Sequence, residues 1–186
     1  LLIHRSEDLL GDKGEKILNA LNNLKSRGLV KKIGLSIYDS SELEKLTNQI
    51  KLDIVQAPLN IIDQRLINSG WLSKLYEADV EVHVRSVFLQ GLLLMSKKNR
   101  PHKFNQWKNL WKMWHEWLND NKITALEATL RYALSIKEIS KVIVGVDSKD
   151  QLEQIVISSE GILPKIPLEL CTNDVNLLNP SNWKKL

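Results

Sequence analysis

The sequence predicts an α/β protein built on a parallel sheet, and three observations carry that prediction. Short apolar runs alternate with longer segments of helical period, five times over. A parallel sheet with right-handed crossovers requires that order. The apolar runs are near-continuous, as in strands covered on both faces. Finally, 186 residues with 43% hydrophobic and 26% charged side chains suffice for a soluble domain with a real core. Two architectures fit. An open doubly wound sheet is complete with five strands, whereas a (β/α)₈ barrel is not; pattern alone leans slightly to the former.

The elements follow in order. "LLIH" (1–4) reads as a strand. "EKILNALNNLKSRG" (15–28) sets Ile17, Leu18, Leu21 and Leu24 on one helical face and stops at Gly28. "VKKIGLSI" (30–37) is the second strand, and "DSSELEKLTNQ" (39–49) opens with capping residues and runs as a helix. "LDIVQAPLN" (52–60) is the third strand, "SGWLSKLYEAD" (69–79) a short helix and "VEVHVRSVF" (80–88) the fourth strand. A loop at 96–103 precedes two helices, at about 104–119 and 122–136. "SKVIVGV" (140–146) is the fifth strand and "SKDQLEQIVISS" (148–159) its helix. A tail from Leu163 carries three prolines and ends in a short segment around Trp183.

Composition narrows the function classes. No apolar run approaches the ~18 residues of a membrane span. The first residues show no charged n-region, apolar h-region and cleavage site, so export is not expected. The single Cys171 cannot form an internal disulfide, which fits a reducing cytoplasm. The formal charge of +4 is mild, and its lysines and arginines are scattered among acidic residues, so no nucleic-acid partner is expected.

In both candidate architectures ligands meet the carboxyl ends of the strands. Polar residues fall there after every strand: His4, then Ser36, then Gln56 and Asn60, then Arg85 and Ser86, then Gly145 to Ser148. One such residue means little; five groups in succession point to a site. There is no G-x-G-x-x-G after a strand and no Walker A sequence, and "GDKGEK" (11–16) reads as a turn. The histidines, at 4, 83, 102 and 115, have no metal-ligand spacing, and His83 reads as a satisfied residue inside a strand. "WKNLWKMWHEWL" (107–118) places Trp107, Trp111, Trp114 and Leu118 on one apolar helical face with Trp117 at its edge. A membrane-surface helix has the same pattern, but packing on neighbouring helices is the preferred reading.

Five blocks, taken together, resemble the aldo-keto reductases. "VKKIGLSIYDSSELEKL" (30–46) is similar to their G-K-I-R-x-I-G-V-S-N-F, and "DIVQAPLNIID" (53–63) to their D-x-x-Q-x-x-Y-N. "VRSVFLQGLLL" (84–94) resembles Y-S-P-L-A-Q-G-L-L, and "VIVGVDSKDQLEQI" (142–155) resembles I-P-G-x-x-S-x-E-Q-L-x-E-N. "LLIHRS" (1–6) resembles L-L-H-R, and the blocks stand in the family's order. The resemblance implies part of a (β/α)₈ TIM barrel, with five parallel strands corresponding to strands four to eight. A full barrel takes roughly 250 residues, so three βα units of about 30 residues each are expected to be absent at the N-terminal side. Residues 1–162 would form the partial barrel and 163–186 a C-terminal tail.

The resemblance also implies roles. His4 matches the histidine that orients the substrate carbonyl. Ser36 and Gln56 match groups that bind the nicotinamide carboxamide, and Arg85 stands where many members stack an aromatic ring on the nicotinamide. Ser86, Phe88 and Gly91 match the pyrophosphate loop, and Gly145, Asp147 and Gln151 the segment around the adenosine end. The implied cofactor is NADP(H) ahead of NAD(H). Asp147 weighs the other way, because a carboxylate repels a 2′-phosphate and accepts hydrogen bonds from a free ribose hydroxyl. Ile37 replaces the usual Asn after Ser36 and removes one carboxamide contact; Gln154 and Ile155 replace a Glu-Asn pair near the adenine.

The implied function is that of a fragment of a cytoplasmic NAD(P)H-dependent reductase of small aldehydes or ketones. The family's catalytic Tyr, Asp and Lys fall outside residues 1–186, so the chain alone is expected to be inactive. The alternative is a non-catalytic cofactor-binding or interaction module. Open strand edges at 1–4 and 140–146 are expected to make the isolated chain self-associate. Neither a membrane nor a nucleic acid is expected as partner.

Overall fold

The computed structural model describes residues 1–46 and 51–186. The elements run β1 (Leu2–Ile3), α1 (Glu7–Leu10), α2 (Gly14–Ser26), β2 (Gly34–Ser36), α3 (Ser41–Leu46), β3 (Ile54–Pro58), α4 (Arg65–Asn68), α5 (Trp71–Glu77) and β4 (Glu81–Arg85). They continue as α6 (Lys108–Asp120), α7 (Ala125–Leu134), β5 (Lys141–Val142), α8 (Lys149–Ser159) and α9 (Val175–Leu178), with short 3₁₀ turns between. The last residues of the helix expected at 39–49 lie outside the described residues. The five strands form one sheet in the order β1-β2-β3-β4-β5, as expected for successive crossovers.

The chain divides into two compact units. The first comprises Leu1–Pro58, Arg65–Arg85 and Glu138–Lys141; the second comprises Leu59–Gln64, Ser86–Lys137 and Val142–Leu186.

In the first unit the parallel register aligns Leu35 with Val55 and Val55 with Val82, and all three are fully buried. The next row aligns Ser36, Gln56 and His83, which by the strand period occupy the opposite face. β2 is buried along its whole length, as expected, while β4 alternates. β4 reads Glu-Val-His-Val-Arg with only the valines buried, which corrects the expectation of uniformly apolar strands. They are also shorter than expected. β4 stops at Arg85 because Ser86 takes a left-handed backbone with φ of 62°. β2 does not start before Gly34; Lys31 and Lys32 ahead of it are exposed.

Gly34 allows the strands to meet: a Cβ there would lie 2.1 Å from the Ile54 carbonyl oxygen. Helix α2 presents the expected face, with Leu21 buried and Ile17, Leu18 and Leu24 half-buried. It ends where expected, at left-handed Gly28, with the Leu29 amide donating back to the Leu24 carbonyl at 3.0 Å. Helices α1 and α4 are four residues each, too short for a period to announce them.

Asp53 ties the start of β3 to its neighbours. Its carboxylate accepts from the Ile33 amide at 2.9 Å and from Lys25 Nζ at 2.6 Å. Burial pushes this carboxyl's pKa up, but the Ile33 amide and the Lys25 ammonium more than offset that, and the net shift is downward. A folded-state pKa below the unfolded one contributes stability that is present above the ordinary aspartate value and is lost as pH falls through the folded value. Urea unfolding across the acid range should show this loss, and Asp53→Asn should flatten it; an unchanged acid limb would refute the assignment.

In the second unit a 3₁₀ turn at His102–Trp107 leads into α6. Trp111, Trp114, Trp117 and Leu118 are buried, while Trp107 is only half-buried. Trp117 is therefore a core residue and not the edge residue expected; its ring stacks on Trp114 with centroids 5.6 Å apart. Each buried indole finds an acceptor. Trp111 donates to the Phe104 carbonyl at 2.9 Å, Trp114 to Leu93 at 3.1 Å and Trp117 to Lys165 at 3.0 Å. Trp107 donates to Asp174 Oδ2 at 2.9 Å. A face whose ring bodies and N–H groups are all consumed internally is a packing face. Among the described residues no helix is long and apolar enough to cross a membrane. Helix α7 starts at a capping box made by Thr124 and Glu127.

Candidate functional site

The carboxyl ends of β1 to β4 gather four of the expected residues in the first unit. Ser36 ends β2 and Gln56 lies beside it in β3, in direct register. The Ser36 hydroxyl donates to Gln56 Oε1 at 3.3 Å, and Ser36 is buried. That leaves the Gln56 amide NH₂ without an acceptor among the described residues.

Arg85 ends β4. Its guanidinium donates to the Ile37 carbonyl at 2.9 Å and lies 4.8 Å from the centre of the Tyr38 ring. Burial lowers its pKa, partly opposed by Tyr38 and Glu42. His4, just past β1, is exposed and meets the Tyr38 ring edge-on at 6.3 Å. Tyr38 thus links His4 to Arg85. The sequence reading did not single it out. The signal was the aromatic position two residues beyond Ser36, in "SIY".

The turn that carries Tyr38 is firmly held. Glu42 Oε1 accepts from the Tyr38 and Asp39 amides at 2.7 and 2.9 Å, and the Ser6 hydroxyl donates to Glu42 Oε2. Asp39 pairs with Arg65 at 2.7 Å and accepts from the Ser41 amide at 3.0 Å. Burial pushes the Asp39 carboxyl up, yet Ser41 and Arg65 hold it below its ordinary value. Glu42 joins the turn after β1 to the turn after β2, so His4 and Tyr38 stand on tied segments.

The second unit carries the remaining expected residues. Ser86 begins a tight turn in which Leu89, Gln90 and Gly91 are consecutive left-handed residues, with φ of 47°, 55° and 81°. Such a run is uncommon outside glycine and persists where surroundings impose it. Here the Leu89 amide donates to the Ser86 carbonyl at 2.9 Å and the Leu93 amide to Phe88 at 3.2 Å. Buried Asn60 fixes the start of the turn by donating Nδ2 to the Ser86 carbonyl at 3.1 Å. The amides of Gln90 and Gly91 have no acceptor among the described residues. Half-buried Phe88 lies in the same turn.

Gly145 and Asp147 are exposed ahead of α8. Ser148 caps that helix, its hydroxyl accepting from the Gln151 amide at 3.2 Å, while Gln151 Oε1 accepts from the Asp147 amide at 2.8 Å. The Gln151 side-chain oxygen is thus engaged at its own helix start. No group of three or more metal-ligating side chains occurs among the described residues.

The model of the aldo/keto reductase family matches residues 2–166. The chain belongs to the aldo/keto reductase family. No curated protein matches the chain significantly. Among solved structures it is similar to the aldo-keto reductase AKR11C1 of Bacillus halodurans, apo form, with a TM-score of 0.68 at 20% identity. That likeness covers 88% of this chain and 56% of the other. The thermostable aldo-keto reductase Tm1743, solved with the inhibitor epalrestat, gives a TM-score of 0.63 at 21% identity, covering 88% and 55%. A Gox0644 mutant solved with NADPH gives 0.63 at 17% identity, covering 93% and 58%.

At these identities the likeness speaks for the fold. It assigns the five-stranded α/β sheet of this aldo/keto reductase chain to the barrel architecture and rules out the doubly wound alternative. The chain spans a little over half the length of these relatives.

Proposed function

We propose that this chain is the cofactor-binding part, strands four to eight, of an NAD(P)H-dependent aldo-keto reductase acting on a small aldehyde or ketone. In this reading residues 1–162 belong to the barrel and 163–186 form the tail. The proton-donating Tyr, with its Asp and Lys, stands outside residues 1–186, and the chain by itself is inactive. The protein works in the cytoplasm, and in the isolated chain β1 and β5, at the two ends of the strand order, are the open edges available for self-association.

One observation carries the proposal. The Ser36 hydroxyl and the Gln56 amide are side by side at the carboxyl end of β2 and β3, with the amide NH₂ uncommitted. That pair offers the donor and acceptor set a carboxamide needs. The residues present therefore fit a nicotinamide cofactor, which when bound supplies the hydride for carbonyl reduction. Ser36 and Gln56 hold the carboxamide and so fix which ring face is presented. The uncommitted amides of Gln90 and Gly91, with Ser86 and Phe88 in the same turn, receive the pyrophosphate. Gly145, Asp147 and Gln151 line the adenosine end.

His4 stands at the substrate carbonyl and orients it. Arg85 and Tyr38 replace the flat aromatic wall beside the nicotinamide with a guanidinium stacked on a phenol ring, which keeps a planar surface there and adds a positive charge. NADP(H) is preferred over NAD(H) on family grounds, and Asp147 narrows that preference through its charge.

The test uses the protein from the complete reading frame, assayed with NADPH and NADH against a panel of aldehydes and ketones. Carbonyl-dependent oxidation of the reduced cofactor is expected. Gln56→Ala should raise the KM for cofactor about tenfold, the cost of one buried carboxamide contact. A folded full-length protein that binds cofactor and reduces no carbonyl would overturn the reductase reading and leave a binding module. An unchanged KM would overturn the role of Gln56.

A further inference from the structure

A cavity of about 490 Å³ lies in the second unit. Lys97 and Arg100 line it from the segment before the 3₁₀ turn, and Lys108, Lys112, His115 and Glu116 line it from α6. Arg100 is 8% exposed. Its guanidinium lies 4.3 Å from the centre of the Trp111 ring and donates through one NH₂ to the Met95 carbonyl at 3.1 Å and to His115 Nε2 at 2.8 Å. Its Nε is buried and has no hydrogen-bond partner among the described residues. No carboxylate stands within ion-pair distance of it among those residues.

A buried cation without an anion is costly, and buried arginines are normally paired. The rim adds to the imbalance instead of correcting it. Three lysines face one carboxylate, Glu116, which already lies 3.7 Å from Lys112. His115 must be neutral to accept from Arg100. Burial first, then Arg100 and Lys97, keep its pKa low, which is the response of a titrating group to an excess of positive charge.

We propose that this cavity is a binding site for a phosphoryl group, free or carried on a small molecule, with Arg100 at its floor and Lys97, Lys108 and Lys112 at its mouth. The other NH₂ of the Arg100 guanidinium, uncommitted among the described residues, and three ammonium groups match the dianionic charge and many acceptor oxygens of a phosphate better than the single charge of a monocarboxylate. The site is independent of the reductase reading, since none of its residues takes part in that reading.

Histidine-ring resonances of the full-length protein report on it directly, with His115 assigned through His115→Gln. Inorganic phosphate added at constant ionic strength should shift the His115 signals saturably and leave His102 unmoved. The surface double variant Lys97→Ala with Lys112→Ala keeps Arg100 and the fold, and should weaken that binding about tenfold. A sugar phosphate that competes would place recognition in the phosphoryl group of a larger ligand; one that does not compete would leave the free anion as ligand. A shift reproduced by sodium chloride or malonate, no shift at all, or equal affinity in the double variant would overturn the proposal.

Discussion

Gly34→Ala should lower the melting temperature by roughly 10 °C, from a loss of about 3 kcal/mol in a chain of this size. The added Cβ would lie 2.1 Å from the Ile54 carbonyl oxygen, 2.8 Å from its carbon and 2.9 Å from the Ile54 Cβ. Two of these atoms are backbone, so no side-chain rotation relieves the clash. Gly34 is also paired on both sides, with Leu2 of β1 and Ile54 of β3, so a shift that makes room on one side disturbs the other ladder. The displaced strand carries Ser36, two residues on, out of register with Gln56, so the substitution should also weaken cofactor binding in a protein that still folds. Gly145→Ala is the control: nothing lies within 4 Å of its added Cβ, and its melting temperature should stay within a degree or two of the parent. Equal melting temperatures for Gly34→Ala and the parent would show that the strands can part at no cost.

Gly34 also marks the limit of what could be read from the sequence. The strand containing it was legible as an apolar run; the close approach that demands glycine was not, because it depends on Ile54, twenty residues away. The same division runs through the chain. Helix α2 and its stop at Gly28 were legible because period and cap are local. The inner limits of the strands were not, because left-handed Ser86 and the Asn60 turn end them through contacts distant in sequence. Doubly wound sheet and barrel could not be separated by pattern, since both are built of the same repeating unit; the family motifs separated them. Among candidate site residues, Ser36 and Gln56 were legible from strand ends and do meet. Tyr38 escaped notice because its importance lies in touching His4 and Arg85 at once. The Arg100 cavity left no trace in the sequence: an arginine in a polar loop looks solvated until its burial is seen.

Asn60→Ala should cost about 3 kcal/mol, and Asn60→Asp should cost an amount that depends on pH. Asn60 is fully buried. Its Oδ1 accepts from the Ile62 and Asp63 amides at 3.1 and 3.0 Å, and its Nδ2 donates to the Ser86 carbonyl at 3.1 Å. Alanine removes all three contacts at once; the Asp63 amide keeps the Asn60 carbonyl and the Ser86 carbonyl keeps the Leu89 amide, but the buried Ile62 amide is left without an acceptor, which is dearer than the bond itself. Aspartate keeps the two accepting contacts but turns a carboxylate oxygen on the Ser86 carbonyl. Burial and that facing oxygen both oppose ionisation, so the introduced acid has a folded-state pKa above its unfolded one. Protonated, it can donate to Ser86 as the amide did. A raised folded-state pKa gives stability that is complete below the unfolded pKa and is lost as pH rises through the folded value. Relative to the parent, Asn60→Asp should therefore be nearly neutral in acid and destabilised at neutral pH, while Asn60→Ala is destabilised at both. Urea unfolding of the three proteins at acid and neutral pH separates the cases. A pH-independent gap for Asn60→Asp would mean that the donor to Ser86 carries no weight, and that the left-handed turn after β4 is held by its own backbone bonds alone.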